Sequence, residues 1–313
     1  MQFAFWEDWQ SRAAQNRPHR HHLDPDAYAH DSLILPVWRG KPHLGRGGLG
    51  WVAPDHPMLD HAPLPHLYLG RHRDRDVFAA DLSGWEPDAL DRAALAMFAD
   101  TSLQVHPDAP EGTHFAELRL AMTSLPPAEA SLAATARAIF NWHRTHRFCA
   151  ACGHQSIVVQ AGWERHCPAC GAKHFPRTDP VVIMLVTHGN ALLLGRSPGW
   201  PDRMYSALAG FIEPGETLEA AVAREVREET GLATRNIRYI ASQPWPFPNS
   251  LMFGCSAEAC GTSLTIDDEL DDARWLSRED VLASWSGDHP DILPARKGSI
   301  AHYLIGQWLA GRV

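Results

Sequence analysis

Residues 210–232 read GFIEPGETLEAAVAREVREETGL. Pro214-Gly215 marks a turn, and good helix formers run from Leu218 to Thr230. Gly231 stands where a left-handed C-terminal cap belongs, so the stretch predicts a loop followed by a helix over Leu218–Thr230. The helical period puts Leu218, Ala221, Val222 and Val226 on one apolar stripe. Glu225 and Glu229 fall inside that stripe and Glu228 flanks it, while Ala220, Ala223 and Arg227 take the opposite side. Two carboxylates one turn apart on an inward face lose hydration and repel each other unless a cation sits between them. No inward lysine is nearby, so the pattern implies an oxygen-seeking divalent ion, Mg²⁺ or Mn²⁺. The same composition also suits a solvated helix laced by pairs such as Arg224 with Glu228.

Upstream, Val181–Val186 and Ala191–Leu194 read as strands joined by a turn at Thr187–Asn190. Farther upstream stand Cys149-Ala-Ala-Cys152 and Cys167-Pro-Ala-Cys170. A glycine follows each pair (Gly153, Gly171), which suits two knuckle turns closing a tetrahedron around one zinc ion. All four ligands would be thiolates, so such a site is closed and structural. Ser156–His166 between the knuckles predicts a short hairpin. Two disulfides or a redox pair are the competing readings; a cytosolic setting disfavours the first, and the second needs only one motif. Cys255 and Cys260 read as reduced, partly buried thiols. A helix leads into the knuckles over Ala128–His146, opened by Pro126-Pro127, with Leu132, Ala136, Ile139, Phe140 and His143 at helical spacing.

Downstream, Ser242–Ser250 reads SQPWPFPNS. Pro244, Pro246 and Pro248 make a stiff extended segment that is not expected to continue a strand ladder. It presents Trp245 and Phe247, rings that either pack internally or offer faces to a base. The N-terminal region is less informative. Ser32–Trp38, Leu67–Leu69 and Val77–Leu82 read as strands, Ala89–Asp100 as a short helix and His19–His22 as a solvated loop. No motif that carries chemistry appears before residue 125.

The chain has 313 residues, enough for about two domains. With 45% hydrophobic and 21% charged residues it is neither fibrous nor disordered. Apolar runs such as Val181–Val186 are far too short to span a bilayer, and the acidic start MQFAFWEDWQ lacks a signal-peptide pattern, so a soluble cytoplasmic protein with no membrane partner is expected. The net charge of −9 disfavours non-specific nucleic-acid binding. It leaves room for a local basic groove from Arg144, Arg147, Arg165, Lys173 and Arg177.

Gly210, Glu216 and the run Arg224–Leu232 match the Nudix box, GX5EX7REUXEEXGU with U aliphatic, at every specified position. The SQPWPFPNS run and the four cysteines ahead of the box, in that order, resemble the NADH pyrophosphatase branch of that superfamily, the NAD-capped RNA hydrolase type. The resemblance covers about residues 130 to 313 well and the N-terminal region by arrangement only. It implies an α+β chain: a Nudix fold, a mixed β-sheet between helices, at 178–313. A linker helix and zinc ribbon would precede it at 126–177, and an N-terminal α/β, Nudix-like domain at 1–125.

The resemblance also implies roles. Glu225 and Glu229 are similar to cation ligands, with Glu228 assisting, Glu269 as a downstream ligand and the Ala209 carbonyl as another. Arg224 would orient a glutamate. Gln243, Pro244, Trp245, Pro246, Phe247, Pro248, Asn249 and Ser250 would line the substrate, with Ala301 contributing backbone. Phe175 stands where the family often has tyrosine, and Arg119 matches a substrate-binding arginine. Before Trp163 the family can carry a glutamate; here that position is Gly162 and Glu164 follows. The implied cofactors are catalytic Mg²⁺ or Mn²⁺ and one structural Zn²⁺ per chain, and the implied assembly is a homodimer.

The activity implied is attack of water on the pyrophosphate of NAD(H), giving NMN(H) and AMP. NAD-capped RNA 5′ ends offer the same bond. Glu228, Glu229 and Glu269 are candidate bases. The alternative substrates are ADP-ribose and diadenosine polyphosphates, which would not need SQPWPFPNS. A non-enzyme reading, a zinc-ribbon nucleic-acid-binding module with a dead Nudix domain, fits poorly with an intact box.

Overall fold

Apolar and β-branched runs broken by Gly- and Asp-containing turns build a sheet in each half of the chain. The computed structural model describes residues 4–5, 12–18, 31–63, 66–88 and 100–313. Two compact units emerge: Glu7–Arg177 with Pro246–Asn249, and Thr178–Trp245 with Ser250–Val313 and Met1–Trp6.

In the first unit, strands β1 (Leu33–Trp38), β2 (Lys41–Gly45), β3 (Gly48–Leu49), β4 (Leu67–His72) and β5 (Arg75–Asp81) lie in the order β3-β2-β1-β5-β4, and β6 (His114–Phe115) pairs with β2. β1 and β5 are parallel, from Leu33 opposite Val77 to Val37 opposite Asp81. The strands expected at 32–38, 67–69 and 77–82 are β1, β4 and β5. β2, KPHLG, carries no alternating pattern, and pairing on both sides makes it a strand. Ile34, Trp38, Met58, Tyr68, Phe78 and Phe115 form the core beneath. The expected helix at 89–100, apart from Asp100, and the loop at 19–22 lie outside the described residues.

After a single turn, α1 (Leu118–Ala121), helix α2 runs Pro127–Thr145, one residue earlier at each end than expected. Proline sits in its first turn, where no intrahelical N–H is needed. Its Glu129 is buried, accepts Leu49 N–H at 2.7 Å and faces Arg73 at 3.4 Å. The ribbon follows as β7 (Ile157–Val159), β8 (Glu164–His166) and β9 (Lys173–His174), an antiparallel set in that order.

The second unit has strands β10 (Asp179–His188), β11 (Ala191–Arg196), β12 (Leu208–Phe211), β13 (Thr234–Trp245), β14 (Ser250–Ala259) and β15 (Asp272–Ser277). Helix α3 (Leu218–Thr230) precedes β13, while α4 (Arg278–Ser286) and α5 (Ile300–Leu309) follow β15. The sheet order is β13-β14-β10-β11-β15, with β12 paired to β10. β10 and β14 are parallel. Side chains on β10 alternate between two cores. Ile183 and Leu185 pack with Leu304, Ile305 and Trp308 of α5; Val182, Met184 and Val186 pack with Val222 and Val226 of α3. Burial on both faces explains the unbroken apolar run of β10. The sheet therefore lies between helices, as an α+β fold of this kind requires.

The two sheets share a pairing scheme. Each has a central parallel pair (β1 with β5, β10 with β14), an antiparallel hairpin partner on one side (β2, β11) and an antiparallel strand on the other (β4, β13). The units differ in the segment before β4 or β13. In the second unit it holds the 13-residue helix α3; in the first, a short 3₁₀ turn at Pro57–His61. Among the described residues, no helix is long and apolar enough to cross a membrane.

Burial pushes His66 down to about 4. Burial and the Arg165 charge do the same to His143, whose Nε2 lies 2.9 Å from Gly162 O. Below the ordinary value of 6.5 the unfolded chain takes up protons that these folded imidazoles refuse, so their contribution to stability falls as pH drops from 6.5 to 4. Thermal melts by circular dichroism should show a Tm decrease of roughly 5 °C or more over that window, reduced in His66→Gln.

Candidate active site and metal centres

Helix α3 spans the residues expected. Thr217 Oγ1 caps its start by accepting Ala220 N–H at 3.2 Å, and Gly231 closes it at φ 74° with an N–H to Arg227 O. The apolar stripe carries Glu225 and Glu229 inward, to 8% and 5% exposure, while Glu228 stays exposed.

Arg224 organises the acids beside it. Its Nε and Nη2 donate to both oxygens of Glu216, at 2.7 and 2.8 Å. Nη1 donates to Glu225 Oε1 and Glu228 Oε2, each at 2.9 Å, and Nη2 also reaches Phe211 O at 2.8 Å. The fork holds Glu216 down to about 2. The Arg224–Glu228 pair of the solvated-helix reading is thus present, on a helix whose other acids face inward.

Glu225 is raised, first by burial, with Arg224 opposing. Burial, then the charges of Glu225, Glu269 and Asp267, push Glu229 up to about 8. Glu229 Oε2 is buried without a hydrogen-bond partner. β12 passes so close that a Cβ at Gly210 would overlap the Glu225 carboxyl, which explains why glycine stands there. Ala209, its exposed neighbour, and the loop carrying Asp267 and Glu269 complete the surroundings. Asp267 was not singled out from sequence; the run Asp267-Asp268-Glu269 is the signal that could have found it.

This donor set fits a hard divalent cation: carboxylate oxygens, one orphaned, crowded into mutual repulsion. The acids are more widely set than the thiols. Among the described residues, only Cys149, Cys152, Cys167 and Cys170 bring three or more ligand atoms within 4.8 Å of one another. There Cys149 and Cys170 sulfurs are 3.6 Å apart, and Cys152 and Cys167 sulfurs 3.5 Å. A tetrahedron of ~2.3 Å bonds sets sulfurs roughly 3.8 Å apart, so the cluster fits zinc. Both knuckles have one geometry: Gly153 and Gly171, at φ 76° and 75°, each donate to the first cysteine's carbonyl at 2.9 Å. The backbone N–H of Cys170 helps hold Cys167 down to about 6. All six cysteines are free in the structure, and the four sulfurs of the knuckles share one cluster, which favours the zinc reading over two disulfides. Cys255 and Cys260 were expected partly buried; Cys255 is fully buried and Cys260 exposed, because β14 turns the first into the core and ends before the second.

The Ser242–Ser250 segment corrects another expectation. The ladder does continue through it: Gln243 pairs with Met252, Pro244 with Leu251 and Trp245 with Ser250. Proline is accommodated because β13 is the sheet's edge strand, where a missing N–H breaks no second ladder. Gln243 is wholly buried. Its Nε2 donates to Ala4 O at 2.7 Å and Gly298 O at 2.8 Å, and its Oε1 accepts Ile300 N–H at 2.7 Å. The amide therefore holds the start of α5, where Ala301 sits at 6% exposure. Pro246 and Asn249 are buried, Pro244 and Pro248 exposed, and Phe247-Pro248 is cis. Phe247 lies 4.4 Å from the Arg119 guanidinium. Phe175, 64% exposed, ends the ribbon. A Cβ at Gly162, φ 96°, would meet Leu67, so a glutamate is barred there; Glu164 is buried and pairs with Lys173 at 3.3 Å. A cavity of about 470 Å³ in the first unit is lined by Arg39, Arg144, Asn141, Pro246 and Pro248 among others.

Three family models match consecutive stretches of the chain: a NADH pyrophosphatase-like rudimentary NUDIX domain at 31–142, a NADH pyrophosphatase zinc ribbon domain at 144–175 and a NUDIX domain at 176–295. The NAD-capped RNA hydrolase NudC of Stutzerimonas stutzeri is 44% identical over 212 residues, 67% of this chain and 73% of that protein. The protein of that name from Mycobacterium bovis is 38% identical over 266 residues, 81% of this chain and 78% of its own. The human NAD-capped RNA hydrolase NUDT12 is 43% identical over 203 residues; the match spans 60% of this chain but 44% of that longer protein. The chain belongs to the Nudix superfamily. Its matched segments, in this order, are those of the NADH pyrophosphatase branch.

Gly210→Ala places a methyl group where the Glu225 carboxyl lies. It is expected to cost about 1–3 kcal/mol of stability in urea denaturation and to weaken Mn²⁺ binding followed by electron paramagnetic resonance.

Proposed function

We propose that this chain is a cation-dependent hydrolase of the NAD(H) pyrophosphate, releasing NMN(H) and AMP, and that NAD-capped RNA 5′ ends are a second substrate presenting the same bond. The observation that carries the reading is the inward Glu225–Glu229 pair with its unpartnered Oε2. The SQPWPFPNS run and the names of the relatives at 38–44% identity support the substrate class.

Glu225, Glu229, Glu269 and the Ala209 carbonyl would hold Mg²⁺ or Mn²⁺. When bound, such a cation neutralises charge on phosphate oxygens and lowers the pKa of a bound water. Arg224, fixed by Glu216, holds Glu225 in place. Glu228 and Glu269 are exposed, so either carboxylate can take the water's proton and pass it to solvent, whereas Glu229 is buried away from solvent. Trp245, Phe247, Phe175, Arg119 and the backbone near Ala301 would contact the dinucleotide. Gln243 would act through the backbone it orders.

Cys149, Cys152, Cys167 and Cys170 would hold one structural zinc. We further propose three segments, 1–125, 126–177 and 178–313, a homodimer and a cytoplasmic location, supported by the family resemblance and the free thiols.

The test is chromatography of products from NADH, NAD⁺, ADP-ribose and diadenosine tetraphosphate with Mg²⁺ or Mn²⁺. AMP and NMNH from NADH, at a higher kcat/KM than AMP from ADP-ribose, are expected; faster ADP-ribose turnover overturns the substrate assignment. Glu229→Gln should lower kcat by about a hundredfold or more, with a Tm near that of the unchanged protein. Near-normal turnover in that variant would sink the assignment of the acids.

A further inference from the structure

The loop Pro246–Asn249 cannot hold itself. Two of its four residues are prolines without N–H groups, so its shape depends on donors from elsewhere. Helix α2 supplies them. Arg137 Nε donates to Pro246 O at 2.9 Å, and Nη1 donates to Gly40 O at 2.5 Å. Glu117 Oε1 stands 3.6 Å from Nη1 and fixes the fork from a third side. The flat guanidinium also lies 4.7 Å from the Phe247 ring centroid. One turn on, Asn141 Nδ2 donates to Asn249 Oδ1 at 3.2 Å. The approach depends on Gly40, φ 78°, where a Cβ would meet the Arg137 guanidinium at 2.8 Å.

We propose that Arg137 is a positioning residue for substrate recognition: its fork pins the Pro246 carbonyl and its face sets the Phe247 ring, so the loop meets a dinucleotide in one preformed arrangement. The proposal rests on the reading of Ser242–Ser250 as substrate-lining. A lysine cannot replace this arrangement, because a point charge does not present a fixed fork to two carbonyls while lying over a ring. The loop's effect is on binding, since none of these groups belongs to the acidic cluster that performs the chemistry.

The experiment compares the full chain with Arg137→Lys and Arg137→Gln. It measures NADH kinetics and amide hydrogen exchange in peptides covering 244–250 and 218–232. The expected result is faster exchange at 244–250 only, with KM for NADH raised about tenfold and kcat little changed. Lysine should rescue neither. Unchanged exchange and KM, or a fall in kcat at constant KM, would overturn the proposal; so would faster exchange in both peptides, which marks general loosening. If Arg137→Gln does not fold, Arg137→Lys, which keeps the charged stem, decides by the same criteria. If the unsubstituted protein does not turn over NADH, the substrate reading falls, and exchange at 244–250 alone decides whether Arg137 positions the loop.

Discussion

The repulsion between Glu225 and Glu229 is the constraint around which the second unit is arranged. Two carboxylates have been taken into the apolar side of a helix, where burial raises the proton affinity of both and the Glu225 charge raises that of Glu229 further. One arginine compensates on the outer side, spreading a single guanidinium over Glu216, Glu225 and Glu228. Among the described residues, no hydrogen-bond donor reaches Glu229 Oε2. A site with that imbalance is built to receive positive charge from outside the chain. The backbone answers the same need: Gly210 lets β12 approach the carboxyl group without a side chain in between.

The first unit shows what the sheet becomes when that helix is missing. Its strands repeat the pairing of the second unit, yet the segment before β4 is one 3₁₀ turn with Asp60 as its lone acid. Among the described residues, that turn offers no inward helical stripe on which carboxylates could be lined up. The interior holds histidines whose burial keeps them neutral and buried ion pairs instead, such as Lys41 with Asp100 at 2.6 Å. The name of the matching family model, a rudimentary domain, agrees with a sheet kept and a reactive helix lost. Within this unit, α2 holds the proline loop Pro246–Asn249.

Legibility followed the range of the interactions. The α3 helix, its inward acids and its glycine cap were all readable, because a 3.6-residue period and a capping rule act within a few residues. The cysteine knuckles were readable for the same reason. β2 was not, since KPHLG is made a strand by its partners β1, β3 and β6 and not by a pattern of its own. Pro244 misled because a proline's tolerance depends on whether its strand lies at an edge, and sheet order is not a local property.

The amino-acid sequence by itself determined the superfamily, the four thiolates and the acids of the helix, because these rest on residue type at fixed local spacing. Tertiary structure alone decided three other matters. Gln243 turns its amide inward to Ala4, Gly298 and Ile300. Asp267 comes within electrostatic reach of Glu229 from 38 residues away. Arg137 reaches a carbonyl 109 positions downstream. Each depends on how separate segments are brought together, and hydrogen bonds and charges act through space, without regard to the order in which residues are joined.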